Sequence, residues 1–97
     1  MKKIILNKNN LNYLNQFRNK KKIILCHGVF DVLHYGHIAH LNQAKNFGDI
    51  LVVSITDDAF VNKGPDRPIF SSLIRAKTIL NLEVVDFVII SKSPNAL

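Results

Sequence analysis

Cys26-His27-Gly28-Val29-Phe30-Asp31-Val32-Leu33-His34-Tyr35-Gly36-His37 is the stretch that decides the fold. The run ahead of it, Ile23-Ile24-Leu25-Cys26, is continuously apolar and reads as a strand buried on both faces. Gly28 ends that strand. A helical pattern starts near Tyr35 or Gly36 and runs to about Phe47. Ile38, Leu41 and Ala44 line its inner face, and Gly48 suits its C-terminal cap. A strand feeding a glycine turn and then a helix is a natural phosphate cradle. The first N–H groups of the helix carry positive partial charge and lack partners of their own. His34 and His37 are three apart, so they face the same way once the helix has begun.

Downstream, Ile50 to Ile55 reads as a second buried strand, and Thr56-Asp57-Asp58 as a turn or the cap of a short helix. Gly64-Pro65-Asp66-Arg67-Pro68 must be a loop, because proline disrupts regular structure. Ser71 is placed to cap a helix whose Leu73, Ala76, Ile79 and Leu80 face the core. Asp86 to Ile90 is a third strand. This alternation predicts an α/β fold, a Rossmann-like three-layer α/β/α arrangement around a parallel sheet with right-handed crossovers. Ligands of such sheets sit at the carboxyl ends of the strands. His27 to His37, Thr56 to Asp58 and Ser91 therefore converge on one crevice.

Residues 1–20 form a leader, with Leu11, Leu14 and Phe17 spaced as a short amphipathic helix. Residues 21–97 carry the alternating pattern. Ser93-Pro94 reads as a helix start with nowhere to continue. The expectation is a fragment, or a natural domain cut short.

The 97 residues make one small domain at most. No apolar run is long enough to span a membrane, and Asn7-Lys8-Asn9-Asn10 interrupts the start too early for a signal peptide. With a single cysteine, Cys26, no intramolecular disulfide framework exists, and a cytoplasmic setting is expected. The net charge of +6 favours anionic partners such as nucleotides and sugar phosphates. Few aromatics interleave with the basic run Arg18 to Lys22, which argues against a nucleic-acid stripe. His40 lies three past His37, but no acidic or cysteine ligand set accompanies it, so no metal site is assigned.

The segment G-x-F-D-x-x-H-x-G-H, from Gly28 to His37, resembles the signature of the cytidylyltransferase-like nucleotidyltransferases. Gly48-Asp49, Asp58, Arg75 and Val85-Asp86 continue the likeness in order. Lys63-Gly64-Pro65-Asp66-Arg67-Pro68 resembles the sugar-phosphate branch, such as the heptose-1-phosphate adenylyltransferase domain of bifunctional lipopolysaccharide-precursor enzymes. The family reaction is attack by a substrate phosphate on the α-phosphate of a nucleoside triphosphate, with release of pyrophosphate. The resemblance implies ATP or CTP with Mg2+, and a sugar or polyol phosphate as acceptor. It also implies a homodimer, and a sugar kinase fused or associated.

By that resemblance, His34 and His37 hold the triphosphate and stabilise the transition state, unless they merely cap the helix. Gly36 permits close approach of the ligand. Gly28, Val29 and Phe30 offer backbone amides to the nucleotide, and Phe30 is equally a core anchor. Asp31 orients the loop or helps place metal and phosphates; the alternative is a simple turn residue. Lys63 closes on the phosphates as a point charge, or is a solvated loop lysine. Arg67 binds the acceptor phosphate or pins its loop. Arg75 belongs to the phosphate site or is a surface helix residue. Asp58 touches the acceptor or structures its loop. His27 contacts a ligand or, more blandly, is a satisfied histidine at a strand end. The family's later serine/threonine-rich signature is absent from this sequence, which stops at Leu97. Two rivals therefore stand beside the main expectation: a cytidylyltransferase making a CDP-polyol such as CDP-glycerol, and a non-catalytic nucleotide-binding module.

Overall fold

The computed structural model describes residues 3–7, 10–61 and 68–92. Strand β1 (Ile4–Leu6) is followed by a 3-10 helix (Leu11–Phe17), β2 (Ile23–Gly28), α1 (Tyr35–Lys45) and β3 (Ile50–Thr56). A 3-10 turn (Asp58–Phe60), α2 (Ser72–Leu80) and β4 (Phe87–Ser91) complete the order. The strands form one sheet, β1-β4-β3-β2, and every pairing is parallel. The strand–helix alternation of the sequence thus produces the expected Rossmann-like α/β sheet.

Strand β3 is central, which is why all of its residues are buried. Its alternating side chains feed two cores. Leu51, Val53 and Ile55 pack with Leu41 of α1 and with Ala76 and Ile79 of α2. Ile50 and Val52 pack on the other face with Leu6, Phe87 and Ile89, against Leu11, Tyr13, Leu14 and Phe17. Both α-helices cover one face because successive right-handed crossovers advance in the same direction. The other face is covered by the 3-10 helix, whose Tyr13 and Phe17 rings meet Phe87 with centroids 5.7 and 6.1 Å away.

Some expectations change. The leader contributes a strand: Ile4 pairs with Phe87 and Leu6 with Ile89. Three apolar residues have no readable period, and their partner lies far along the chain, so pairing decides the matter. Lys3 anchors this strand to the end of α2, donating to the carbonyls of Leu82 (2.6 Å), Leu80 (3.3 Å) and Glu83 (3.4 Å). Strand β2 is an edge strand and is not buried on both faces; Leu25 is 46% exposed. Leu73 does not face the core, because the inward arc of α2 runs through Arg75, Ala76 and Ile79 and leaves it outside. Gly48 follows α1 but is needed for another reason. A Cβ there would lie 2.8 Å from the Lys22 carbonyl oxygen and 2.6 Å from Ile24 Cγ1. Asp86 precedes β4 and ties two elements together, accepting from Lys45 Nζ (2.6 Å) and the Leu51 amide (2.9 Å).

Candidate active site

The carboxyl end of β2 turns sharply at Gly28 to Asp31. Phe30 has φ 51°, the left-handed region that non-glycine residues rarely adopt. Holding it there costs on the order of 1–2 kcal/mol. The ring offsets this by packing into the helix-side core and against His37, with centroids 5.2 Å apart. Phe30 is therefore a core anchor by its ring, while its backbone shapes the turn. Gly28 makes room for it: a Cβ at that position would come within 2.7 Å of Phe30 Cε2.

Helix α1 opens with a reciprocal cap. His34 is the N-cap in extended conformation, and its Nδ1 accepts the Gly36 amide at 3.0 Å. The His37 Nδ1 accepts the His34 amide at 3.2 Å. The rings stack 3.9 Å apart at 27°. An Nδ1 that accepts a backbone N–H cannot carry a proton, so each neutral imidazole holds its hydrogen on Nε2. The histidines do cap the helix, and capping itself fixes their tautomer. Gly36 is tied to this arrangement, since a Cβ would lie 2.8 Å from His34 Cε1 and 3.1 Å from its Nδ1.

Two buried charged residues knit the surrounding segments. The carboxylate of Asp31, 6% exposed, accepts the Ile69 amide at both oxygens (2.8 and 2.9 Å) and the Phe70 amide (3.0 Å). It joins the histidine turn to the entry of α2. Arg75 is 2% exposed and so is no surface residue. Its Nε donates to Phe70 O, Nη1 to Val29 O and Thr56 O, and Nη2 to Asp58 Oδ1. Asp58 remains about half exposed beyond that contact. His27 is satisfied between two hydroxyls, with Nδ1 3.0 Å from Ser54 Oγ and Nε2 3.4 Å from Thr56 Oγ1. Lys63 and Arg67 lie outside the described residues.

The structure thus gathers Gly28, Val29, Phe30, Asp31, His34, Gly36, His37, Asp58 and Arg75 into one contiguous site at the carboxyl ends of β2 and β3. Sequence reading missed the amides of Ile69 and Phe70 and the carbonyl of Thr56. Backbone groups give no signal in side-chain patterns, although a buried Asp and a buried Arg each require such partners. Among the described residues, no group of three or more His, Cys, Asp or Glu is arranged to hold a metal ion.

A parallel α/β sheet carrying a glycine turn and a capped helix N-terminus at its carboxyl end defines a Rossmann-like α/β domain. Within that class, the cytidylyltransferase-like family profile matches residues 25–93, and the chain belongs to that family. The bifunctional protein HldE of a Nitratiruptor species is 46% identical over 72 residues, spanning 72% of this chain and 16% of that protein. The HldE protein of Campylobacter curvus is 47% identical over 75 residues, which is 75% of this chain and again 16% of the relative. The chain thus spans about one sixth of these curated relatives. Among solved structures, the lipopolysaccharide core biosynthesis protein from Thermoplasma volcanium superposes with a TM-score of 0.69 at 38% identity. That match covers 74% of this chain and 59% of the other.

Proposed function

We propose that this chain is a nucleotidyltransferase domain that transfers a nucleoside monophosphate from ATP to a sugar phosphate of heptose-1-phosphate type and releases pyrophosphate. The observation that carries the reading is the reciprocal cap of His34 and His37, which fixes both ring protons on Nε2. Two neutral donors at a helix N-terminus suit a polyphosphate whose charge shifts during reaction. An oxygen of the acceptor phosphate forms a bond to the α-phosphorus. The bond from that phosphorus to the α–β bridging oxygen breaks, and pyrophosphate leaves with the electron pair. His34 and His37 donate to the phosphate oxygens, and the amides of Gly28 to Asp31 line the nucleotide. Gly36 keeps the His34 ring in place, and Asp58, Lys63 and Arg67 serve the acceptor. Because this is positioning and charge stabilisation, it requires no covalent intermediate.

Mg2+ would arrive on the triphosphate. Among the described residues no group of three or more His, Cys, Asp or Glu is arranged to hold it. The HldE relatives, the lipopolysaccharide core protein and the Lys63 to Pro68 segment support a sugar phosphate over other acceptors.

Pyrophosphate release tests the reading, measured with Mg2+ across ATP and CTP and a panel of sugar and polyol 1-phosphates. Release with ATP and a heptose 1-phosphate, lowered roughly 10²–10³-fold by His37→Ala, is the expected result. Preference for CTP and a polyol phosphate would instead assign a CDP-polyol synthase. Nucleotide binding without release on any pair would leave a binding module.

A further inference from the structure

We infer that Arg75 is a positioning residue of the phosphate cradle: it sets the direction of the Phe30 amide through the Val29 carbonyl and does not itself touch the nucleotide. This rests on the reading of Gly28 to Asp31 as an anion cradle.

The guanidinium is 2% exposed and donates four hydrogen bonds, to Phe70 O (2.9 Å), Val29 O (2.7 Å), Thr56 O (2.8 Å) and Asp58 Oδ1 (2.7 Å). Four of its five N–H donors are engaged in this way, and the fifth, on Nη2, belongs to a residue only 2% exposed, so burial keeps a phosphate from it. Its effect on the cradle is indirect. In a planar trans peptide the C=O and the following N–H point in opposite directions. The Val29 carbonyl points at Arg75 Nη1, so the Phe30 N–H points away from it. A left-handed residue is one half of the αR-αL pairing whose successive amides form an anion-binding concavity, and Phe30 supplies that half with φ 51°. Turning that peptide would break the Val29 contact of a group that also holds the end of β3, Asp58 and the entry of α2. A lysine would keep the positive charge but lacks the planar fork that reaches these acceptors together.

The test is an NMR titration of this chain with inorganic pyrophosphate, following the Phe30 amide and the Arg75 Nε–H. The expected result is a Phe30 amide that moves while the Arg75 Nε–H neither shifts nor exchanges faster. Arg75→Lys should displace the Phe30 amide resonance without any ligand and weaken pyrophosphate binding about tenfold or more despite the retained charge. A shift of the Arg75 Nε–H on adding pyrophosphate overturns the inference. So does full retention of affinity in Arg75→Lys, or a Phe30 amide that the substitution leaves unmoved. If Arg75→Lys does not fold, the wild-type titration decides. Pyrophosphate that moves no cradle amide defeats the cradle reading, while the ligand-free comparison still judges the positioning.

Discussion

The imidazoles of His34 and His37 stack with centroids 3.9 Å apart, and each accepts a backbone amide of the same helix start through Nδ1. One arrangement therefore caps the helix and sets the tautomer of both rings. The cap satisfies amides that would otherwise lack partners, and it leaves the ring hydrogens on the opposite nitrogens.

Replacing His37 by alanine should separate these roles by magnitude. Loss of the cap costs about 1 kcal/mol of stability. Loss of one donor to the reacting phosphate should lower turnover by roughly 10²–10³-fold. Thermal melts beside pyrophosphate-release rates will show a small drop in stability and a large one in rate.

Gly36→Ala sets two small effects against each other. Alanine gains up to about 1 kcal/mol of helix propensity. Its Cβ would meet the His34 ring at 2.8 Å, and swinging that ring away breaks the Gly36 cap bond. Stability should change by less than about 1 kcal/mol, since the two effects are of similar size. Nucleotide affinity, measured by calorimetry, should fall because the ring has moved.

Asp31→Asn should destabilise by about 1–3 kcal/mol, because an amide NH2 replaces one of two oxygens facing the Ile69 and Phe70 amides. Urea titration measures the loss. Hydrogen exchange should locate it at the Ile69 and Phe70 amides.

Gly48→Ala should cost about 1–3 kcal/mol through overpacking, because the added carbon meets backbone that cannot swing aside. A melting-temperature comparison with Gly36→Ala separates this backbone clash from a side-chain one.

Burial pushes the Cys26 thiol above its ordinary value by desolvating the thiolate. Below the unfolded thiol's titration range both states are protonated and the group has no effect on stability. Above it the unfolded chain loses its proton first, so stability falls as pH rises. Alkylation by iodoacetamide at mildly alkaline pH should be slower in the folded chain than in urea, with the gap narrowing as pH increases.

Much of the molecule is legible in one dimension. The apolar runs at Ile23 and Ile50, the Ser71 cap and the Gly28-to-His37 turn dictate a parallel α/β sheet, because burial periodicity and capping are local properties. They also place the Gly28-to-His37 turn at the carboxyl end of the sheet. Local pattern left the remaining questions open. Ile4–Leu6 became a strand only because β4 offers an unpaired edge. Leu73 went to solvent because Arg75 took the inward arc of α2. Whether Arg75 was a surface residue was undecidable until Val29, Thr56, Phe70 and Asp58 closed around it. A charged side chain is buried only where several distant backbone groups converge to solvate it, and that convergence belongs to the tertiary fold.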